Sequence, residues 1–126
     1  MYRCLVLAGA LCASALPAAA QVQRNFPQDA LRGEIVIGIP PVISVNGRSA
    51  QLAPGARIRD TNNMLALSAS ISGARFTAHY TIDIGGQIKD VWILRPDEQA
   101  KQPWPSTLKE AQTWAFDPTA QTWTKR

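Results

Sequence analysis

Apolar and polar residues alternate along much of the chain from Glu34 onwards, and this period of two is typical of β-strands. Turn signals separate the alternating stretches. The strongest is Asn46-Gly47, a pair that tolerates the positive φ angles of a type I′ turn and therefore predicts a tight hairpin. The pattern predicts strands at 34–39, 42–45, 48–52 and 56–59, then a longer strand at 64–72 with its leucines and one isoleucine on one face.

The clearest alternation lies further along the chain, on both sides of a glycine pair at 85–86 that predicts a second hairpin. A two-residue loop there would place Tyr80 opposite Val91 and His79 opposite Trp92. One face of this hairpin is then apolar, and the other carries Trp92. Burying that indole would contribute roughly 4–6 kcal/mol at ~25 cal/mol per Å². We therefore expect another part of the chain to cover the second face.

The C-terminal third supplies candidates for this cover. A helical turn is predicted at 96–102, and Thr107 with Glu110 has the spacing of a capping box at the start of a short helix. The residues at 114–116 and 121–124 predict a small hairpin or a last edge strand. The expected fold is mainly β (α+β), a small antiparallel sheet or partly open barrel of about seven strands with a short C-terminal helix.

The start of the chain predicts export. Arg3 precedes an apolar run and three alanines, which is the pattern of a secretory signal peptide over residues 1–20. A membrane anchor would need ~20 apolar residues, whereas Pro17 interrupts this run. Residues 21–32 lack a period and are predicted to be a flexible lead-in, and residues 33–126 a single β-rich domain. The expected product is periplasmic or secreted, with no stable membrane anchor after cleavage.

Composition narrows the possible functions. The chain has 126 residues, of which 46 % are hydrophobic and 17 % charged, so a disordered chain is excluded. Lysine and arginine number 13 against nine acidic residues, a net charge of +4 that is too mild and too scattered to indicate a nucleic-acid partner. Both cysteines fall within the predicted leader. The mature domain is therefore expected to be held by its core and not by disulfides.

Candidate chemistry is sparse. His79 is the single histidine, so the usual zinc ligand sets and a Ser–His–acid triad are not supported, and we expect neither a metal nor another cofactor. His79 is interpreted as a strand residue packed on Trp92. Asp83 and Asp90 flank the glycine turn, where carboxylates are ordinarily solvated. No phosphate-binding glycine loop is present in the sequence. The expectation is that the protein is not an enzyme.

Arg57 and Arg59 alternate to one side of a short predicted strand, ~6.6 Å apart along it. Such a pair could hold a carboxylate or phosphate through bidentate hydrogen bonds. The plainer interpretation, which we favour, is an edge strand whose charges prevent aggregation.

Four tryptophans are many for a chain of this length. Trp92 and Trp114 are expected in the core. Trp104 and Trp123 could each be buried or exposed, and Trp104, between two prolines, is the first candidate for a surface position.

Parts of the chain resemble known groups of proteins. The stretches that resemble small exported proteobacterial proteins of unknown function are 45–63, 90–94 and 114–118. This resemblance extends over most of the mature chain and implies no activity.

Residues 76–94 have the pattern of a strand–turn–strand, and the stretch ending at 114–118 has that of a helix followed by Trp-x-Phe-x-Pro. In these two features the chain resembles the TonB C-terminal domain. The resemblance implies an α+β domain whose sheet edge binds an extended peptide in the envelope. The first half of the chain has no counterpart of that family's first helix, so energy transduction is not implied.

These observations predict a non-enzymatic module that binds an envelope protein or peptide, or supports an envelope assembly. The expected mechanism is edge-strand pairing, in which ladder hydrogen bonds give affinity. The candidate partner-binding residues are Arg57, Arg59 and Trp104. The alternative function is binding of a small molecule, either an anion or a sugar, in a pocket lined by tryptophan and arginine.

Overall fold

Eight β-strands and three short helices make up the regular structure of the computed structural model, which describes residues 23–125. The strands are β1 (Leu31–Ile37), β2 (Val42–Val45), β3 (Arg48–Arg59), β4 (Leu65–Ala66), β5 (Arg75–Ile82), β6 (Ile88–Ile93), β7 (Ala115–Asp117) and β8 (Thr122–Thr124). The helices are a 3₁₀ helix (Ser68–Ile71), α1 (Pro96–Gln99) and α2 (Leu108–Thr113). The predicted leader lies outside the described residues.

Five of the strands close into a mixed barrel, which confirms the mainly β prediction. Strands β1, β2 and β3 form an antiparallel meander, and β5 returns to pair with β1, which makes a Greek key. Strand β6 follows β5 as a hairpin and pairs with β3 in parallel, so the ring closes. The short β4 extends the sheet beside β3, and β7 pairs with β8 in a separate small sheet.

The two predicted hairpins are present. Asn46 and Gly47 have φ angles of 53° and 84° and join β2 to β3. In the second hairpin Tyr80 lies opposite Val91 as expected. Its loop is longer than the predicted two residues: it spans 83–87, and a register shift after Thr81 absorbs the difference.

The interior of the barrel is apolar because every second side chain of each strand points inwards, and these side chains are mostly apolar. Its buried side chains come from all five strands and are Leu31, Ile35, Ile37, Ile43, Leu52, Ile58, Ala78, Tyr80, Ile88 and Val91. Burial raises the pKa of the Tyr80 hydroxyl. Within residues 23–125 no helix is both long and apolar enough to cross a membrane.

A second, aromatic layer covers the outer face of β1 and β5. Trp104 stacks on His79 with ring centroids 4.0 Å apart, and Phe26 meets the same imidazole edge-on at 4.3 Å. Trp123 packs 6.0 Å from Trp104, from the β7–β8 hairpin. The expected cover therefore exists over His79, and it comes from the N-terminal segment as well as from the C-terminal third, whereas Trp92 is only partly covered and lines a cleft. Phe26 also contacts Trp92, at 5.6 Å.

The predicted lead-in needs correction. Strand β1 begins at Leu31, inside the segment assigned to the lead-in, and the residues before it are packed against the barrel. Arg24, Phe26 and Ala30 are all buried. This segment runs irregularly over the barrel surface, so its buried residues are not regularly spaced. The sequence pattern therefore does not predict their burial.

The predicted strand at 64–72 is also wrong. Only Leu65–Ala66 is extended, and a 3₁₀ helix follows it. Strand β4 pairs with the one edge of β3 that β6 leaves free at this end of the barrel, so it has a single strand neighbour. Met64, Leu65 and Leu67 are consequently 64 %, 68 % and 77 % exposed. Ile39, expected on the inner face of the first strand, lies beyond the end of β1 and is exposed as well.

Candidate functional site

A large cleft lies on the outer face of β3 and β6, where it is bordered by the N-terminal segment and the β3–β4 loop. It measures about 720 Å³, and we refer to it as the arginine cleft. Arg57 and Arg59 of β3 and Asp90 and Trp92 of β6 lie among its lining residues. The parallel pairing places Arg57 beside Asp90 and Arg59 beside Trp92, so the four side chains share one face.

The two arginines of β3 differ in their contacts. A guanidinium nitrogen of Arg59 lies 3.7 Å from a carboxylate oxygen of Asp90, and its central carbon is 5.8 Å from the centre of the Trp92 ring. Arg57 is exposed and makes neither an ion pair nor a side-chain hydrogen bond with any of residues 23–125. Its donors therefore face the cleft unused by the surrounding protein.

Arg24 is the buried arginine of the cleft. Its guanidinium forms a two-point ion pair with the carboxylate of Glu98, one of whose bonds measures 2.8 Å. It also donates to the main-chain oxygens of Asp60, at 2.9 Å, and Ile93, at 2.7 Å. Both side chains of the ion pair are less than a tenth exposed. Arg24 thus ties the N-terminal segment to α1 and to the ends of β3 and β6, and most of its donors are engaged.

Arg95 closes one side of the cleft. Its guanidinium donates to Asp97 at 3.1 Å, lies 3.3 Å from Glu98 and reaches the main-chain oxygen of Thr61 at 3.4 Å. The hydrogen bond from Arg95 holds the pKa of the exposed Asp97 carboxyl below its usual range. Like Arg24, this residue shapes the cleft and is committed to protein partners.

The β3–β4 loop continues the rim beside Arg95. One carboxylate oxygen of Asp60 accepts the main-chain N–H groups of Asn62, at 2.8 Å, and Met64, at 3.0 Å. Asn63 completes the turn at a φ of 64°, a conformation that asparagine adopts more readily than most residues. This turn directs polar side chains towards the cleft.

The cleft carries an excess of positive charge. Four arginines line it against one carboxylate, Asp90, but Arg24 and Arg95 are paired with Glu98 and Asp97 beside the cleft, so the uncompensated charge lies at Arg57. Guanidinium groups bind carboxylates and phosphates bidentately, and their attraction for anions is stronger in a recess than on an open surface. The arrangement is suited to holding an anion.

The single histidine is unsuited to proton transfer. His79 is 1 % exposed, and one of its ring nitrogens accepts a hydrogen bond from Arg32 at 3.2 Å. Burial, reinforced by the positive charges of Arg32 and Arg24, lowers the pKa of His79 to about 2. The imidazole is therefore neutral at ordinary pH and packs within the aromatic layer. Residues 23–125 contain no group of three or more metal-ligating side chains placed to hold an ion.

The structure brings together two of the three predicted site residues. Arg57 and Arg59 both line the arginine cleft. Their strand is not an edge, because β3 lies between β6 and β4 at this point, so the interpretation as edge protection is wrong. Trp104 is 7 % exposed, and its indole N–H donates to the main-chain oxygen of Ala30 at 3.0 Å. It is a core residue away from the cleft, and the expected surface position is wrong.

Sequence reasoning missed the other members of the cleft. The sequence predicts Asp90 as a solvated turn residue and Trp92 as a core residue, and it places Arg24 in the flexible lead-in. A signal existed for the first two, since they occupy alternate positions of a strand, as the two arginines do. Alternation within each strand does not reveal that β3 and β6 pair in parallel, and this pairing brings the two sets of side chains onto one face.

Comparison of the chain with protein-family models, with curated proteins and with solved structures gave no match.

Proposed function

We propose that this protein binds a small anionic ligand, without chemical conversion, in the arginine cleft. The observation that carries the proposal is the exposed guanidinium of Arg57, which has no partner among residues 23–125 and lies in a cleft with three further arginines. A carboxylate or phosphate would satisfy its unused donors and offset the excess positive charge.

Arg59 provides the second contact. Its separation of 3.7 Å from Asp90 is longer than a good hydrogen bond, so the pair is weak and partly exposed. An incoming anion can draw the Arg59 guanidinium away from Asp90 at little cost. The Trp92 ring, which the Arg59 guanidinium lies over, limits how far that group can move. Binding would then be shared between two arginines on neighbouring positions of one face.

Calorimetric titration at low ionic strength with inorganic phosphate and with acetate tests the proposal. We expect saturable binding by the wild type and at least about tenfold weaker binding by Arg57→Gln, since a hydrogen bond to a charged group contributes about 1.5–3 kcal/mol. Arg48→Gln is the matched control, because Arg48 is an exposed arginine at the other end of β3. Equal affinities of the wild type and Arg57→Gln, or no binding by the wild type, would refute the proposal.

Peptide binding by strand addition is a second candidate, and one observation favours it. Strand β4 is the outermost strand of its sheet, and Leu65 on it is 68 % exposed beside Met64 and Leu67. An extended peptide could pair with this edge and pack on the leucines. The site would then be β4 and not the segment around Arg57, which lies inside the sheet.

Capture experiments from envelope extract address this candidate. A partner retained by the wild type and by Ile84→Lys, but lost with Leu65→Lys, would support strand addition at β4. Ile84 is the matched control because it is a fully exposed apolar residue in the β5–β6 loop. Partner lists unchanged by Leu65→Lys would remove β4 from consideration.

A further inference from the structure

The groups that surround the arginines of the cleft are side-chain amides. Asn25, Asn62 and Asn63 all line it and are exposed. The side chains of Asn62 and Asn63 make no hydrogen bond with any residue from 23 to 125, and that of Asn25 accepts one long bond of 3.5 Å from Gln23. Three amide groups are thus available at the rim above the two arginines of β3.

Amides and guanidinium groups select different parts of a ligand. A guanidinium only donates hydrogen bonds, whereas a carboxamide both donates and accepts them. A hydroxyl group also does both, so an amide matches a hydroxyl better than it matches a bare anion. A simple inorganic anion would use the arginines and leave the amides without a role. A ligand with one acidic group and several hydroxyls would use both sets.

The floor and the size of the cleft fit such a ligand. Trp92 lines the cleft with Arg59 over its ring and is partly exposed, and the exposed part is an apolar surface against which the C–H face of a saturated ring can pack. The volume of about 720 Å³ lies within the range of small-molecule sites and leaves room for one or two sugar rings.

We infer that the ligand is an acidic sugar, meaning a sugar unit that carries a carboxylate or a phosphate. The inference rests on the proposed anion-binding function and makes it more specific. The acidic group is bound by Arg57 and Arg59, the ring lies over Trp92, and the hydroxyls contact the amides of Asn25 and Asn62 at the rim.

Calorimetric titration with five probes tests the inference. D-glucuronate and glucose 6-phosphate should each bind at least about tenfold more tightly than acetate, inorganic phosphate or neutral glucose. The stronger of the two acidic sugars then identifies the acidic group. If acetate and phosphate bind as tightly as the acidic sugars, the inference fails while anion binding stands. If none of the four anionic probes binds, both fail.

The variant Asn25→Ala/Asn62→Ala separates the amides from the arginines. Both side chains are exposed, and the turn of the β3–β4 loop uses only the main-chain N–H of Asn62, so we expect an unchanged fold. The affinity for the acidic sugars should fall about tenfold, and that for inorganic phosphate should not change. Gln51→Ala, at an exposed amide of β3 outside the cleft, is the control. An unchanged affinity of the double variant for both acidic sugars would overturn the inference.

Discussion

Arg24 joins parts of the chain that are far apart in the sequence. It lies close to the start of the described residues, and its partner Glu98 lies in α1, 74 positions further on. Its remaining donors are engaged by main-chain oxygens at the ends of β3 and β6. The guanidinium is almost fully buried, so removing one member of the pair leaves the other charged and poorly hydrated.

We expect Arg24→Met to lower the free energy of unfolding by about 3 kcal/mol, because the buried Glu98 would lose its two-point partner and keep only the longer contact with Arg95 and the more distant charge of Arg32 among residues 23–125. Urea denaturation at neutral pH measures the change. The double variant Arg24→Met/Glu98→Leu removes both charges and should recover part of the loss. A double variant that is less stable than Arg24→Met would contradict this explanation.

His79 makes the stability depend on pH in a defined window. Its pKa is about 2 in the folded protein, against an ordinary value of 6.5, so only the unfolded chain takes up this proton as the pH falls below 6.5. Stability is therefore full above 6.5 and falls as the solution becomes more acidic. Between pH 6.5 and about pH 5, where carboxylates titrate little, we expect a loss of about 1–2 kcal/mol.

Urea denaturation at several pH values measures this dependence. His79→Phe keeps an aromatic ring in the layer and lacks the titrating group, so its stability should vary much less across the same window. Equal slopes for the two proteins would show that another group is responsible.

Single residues were also where sequence reasoning was weakest. Trp104 is flanked by prolines and was expected at the surface, but prolines also hold a chain extended across a packed face, and its indole fits between His79 and Trp123. Arg24 lies in a segment without a period. Its role depends on a distant carboxylate that no local pattern reveals.

At the scale of elements, the β2–β3 hairpin does more than reverse the chain. Asn46 occupies the turn with a φ of 53°, and its side-chain oxygen accepts the main-chain N–H of Glu34 at 2.9 Å. The turn residue therefore bonds to β1 as well. The turn signal Asn46-Gly47 thus marks a position where β1, β2 and β3 are bonded together.

Two substitutions separate the two contributions of Asn46. Asn46→Gly keeps the φ angle and the main-chain bond to Glu34 but loses the side-chain bond, so we expect a loss of about 1 kcal/mol. Asn46→Ala also loses this side-chain bond, and the left-handed conformation at residue 46 costs alanine about a further 1 kcal/mol. Thermal or urea unfolding of the three proteins measures the order. Equal stability of the glycine and alanine variants would contradict the role given to φ.

The sequence predicted best those strand pairings that are specified by residues close together in the chain. The pairing of Tyr80 with Val91 follows from a turn and from alternation, and it is confirmed. The stretch 64–72 alternates just as well, yet only two of its residues form a strand. Alternation shows that a face could be buried, and the barrel offers this stretch no surface to bury it against.

At the scale of the whole molecule, the aromatic layer joins the barrel to the small β7–β8 sheet. Trp123 is 4 % exposed and packs against both Trp104 and Phe116. Trp114, at the end of α2 directly before β7, is partly exposed, and Lys125 lies over its ring. The two tryptophans therefore allow a comparison of a buried and a peripheral position beside the same small sheet.

We expect Trp123→Ala to lower the free energy of unfolding by about 3–5 kcal/mol, since it leaves a cavity in the aromatic layer. Trp114→Ala should cost clearly less, because that ring loses less burial. Urea unfolding gives both values, and near-ultraviolet circular dichroism reports the packing of the remaining tryptophans. Similar losses for the two variants would argue against the layer as a stabilising unit.

The fold class was predictable from the sequence, and the closure of the barrel was not. Each antiparallel pair of the ring except β1–β5 joins consecutive strands, whereas the parallel contact of Arg57 with Asp90 links strands separated by the whole β4–β5 region. No turn specifies such a contact. The arginine cleft depends on this contact, so the sequence alone predicted only its β3 side, Arg57 and Arg59.

A closed circuit of strands has no outermost member that can peel away by itself. If any one of the five separates, both of its neighbours lose a partner and expose unsatisfied main-chain groups at the same time. The circuit should therefore open as a single event, with slow amide exchange spread evenly around it. The β7–β8 hairpin, which lies outside the circuit, is where exchange should begin first.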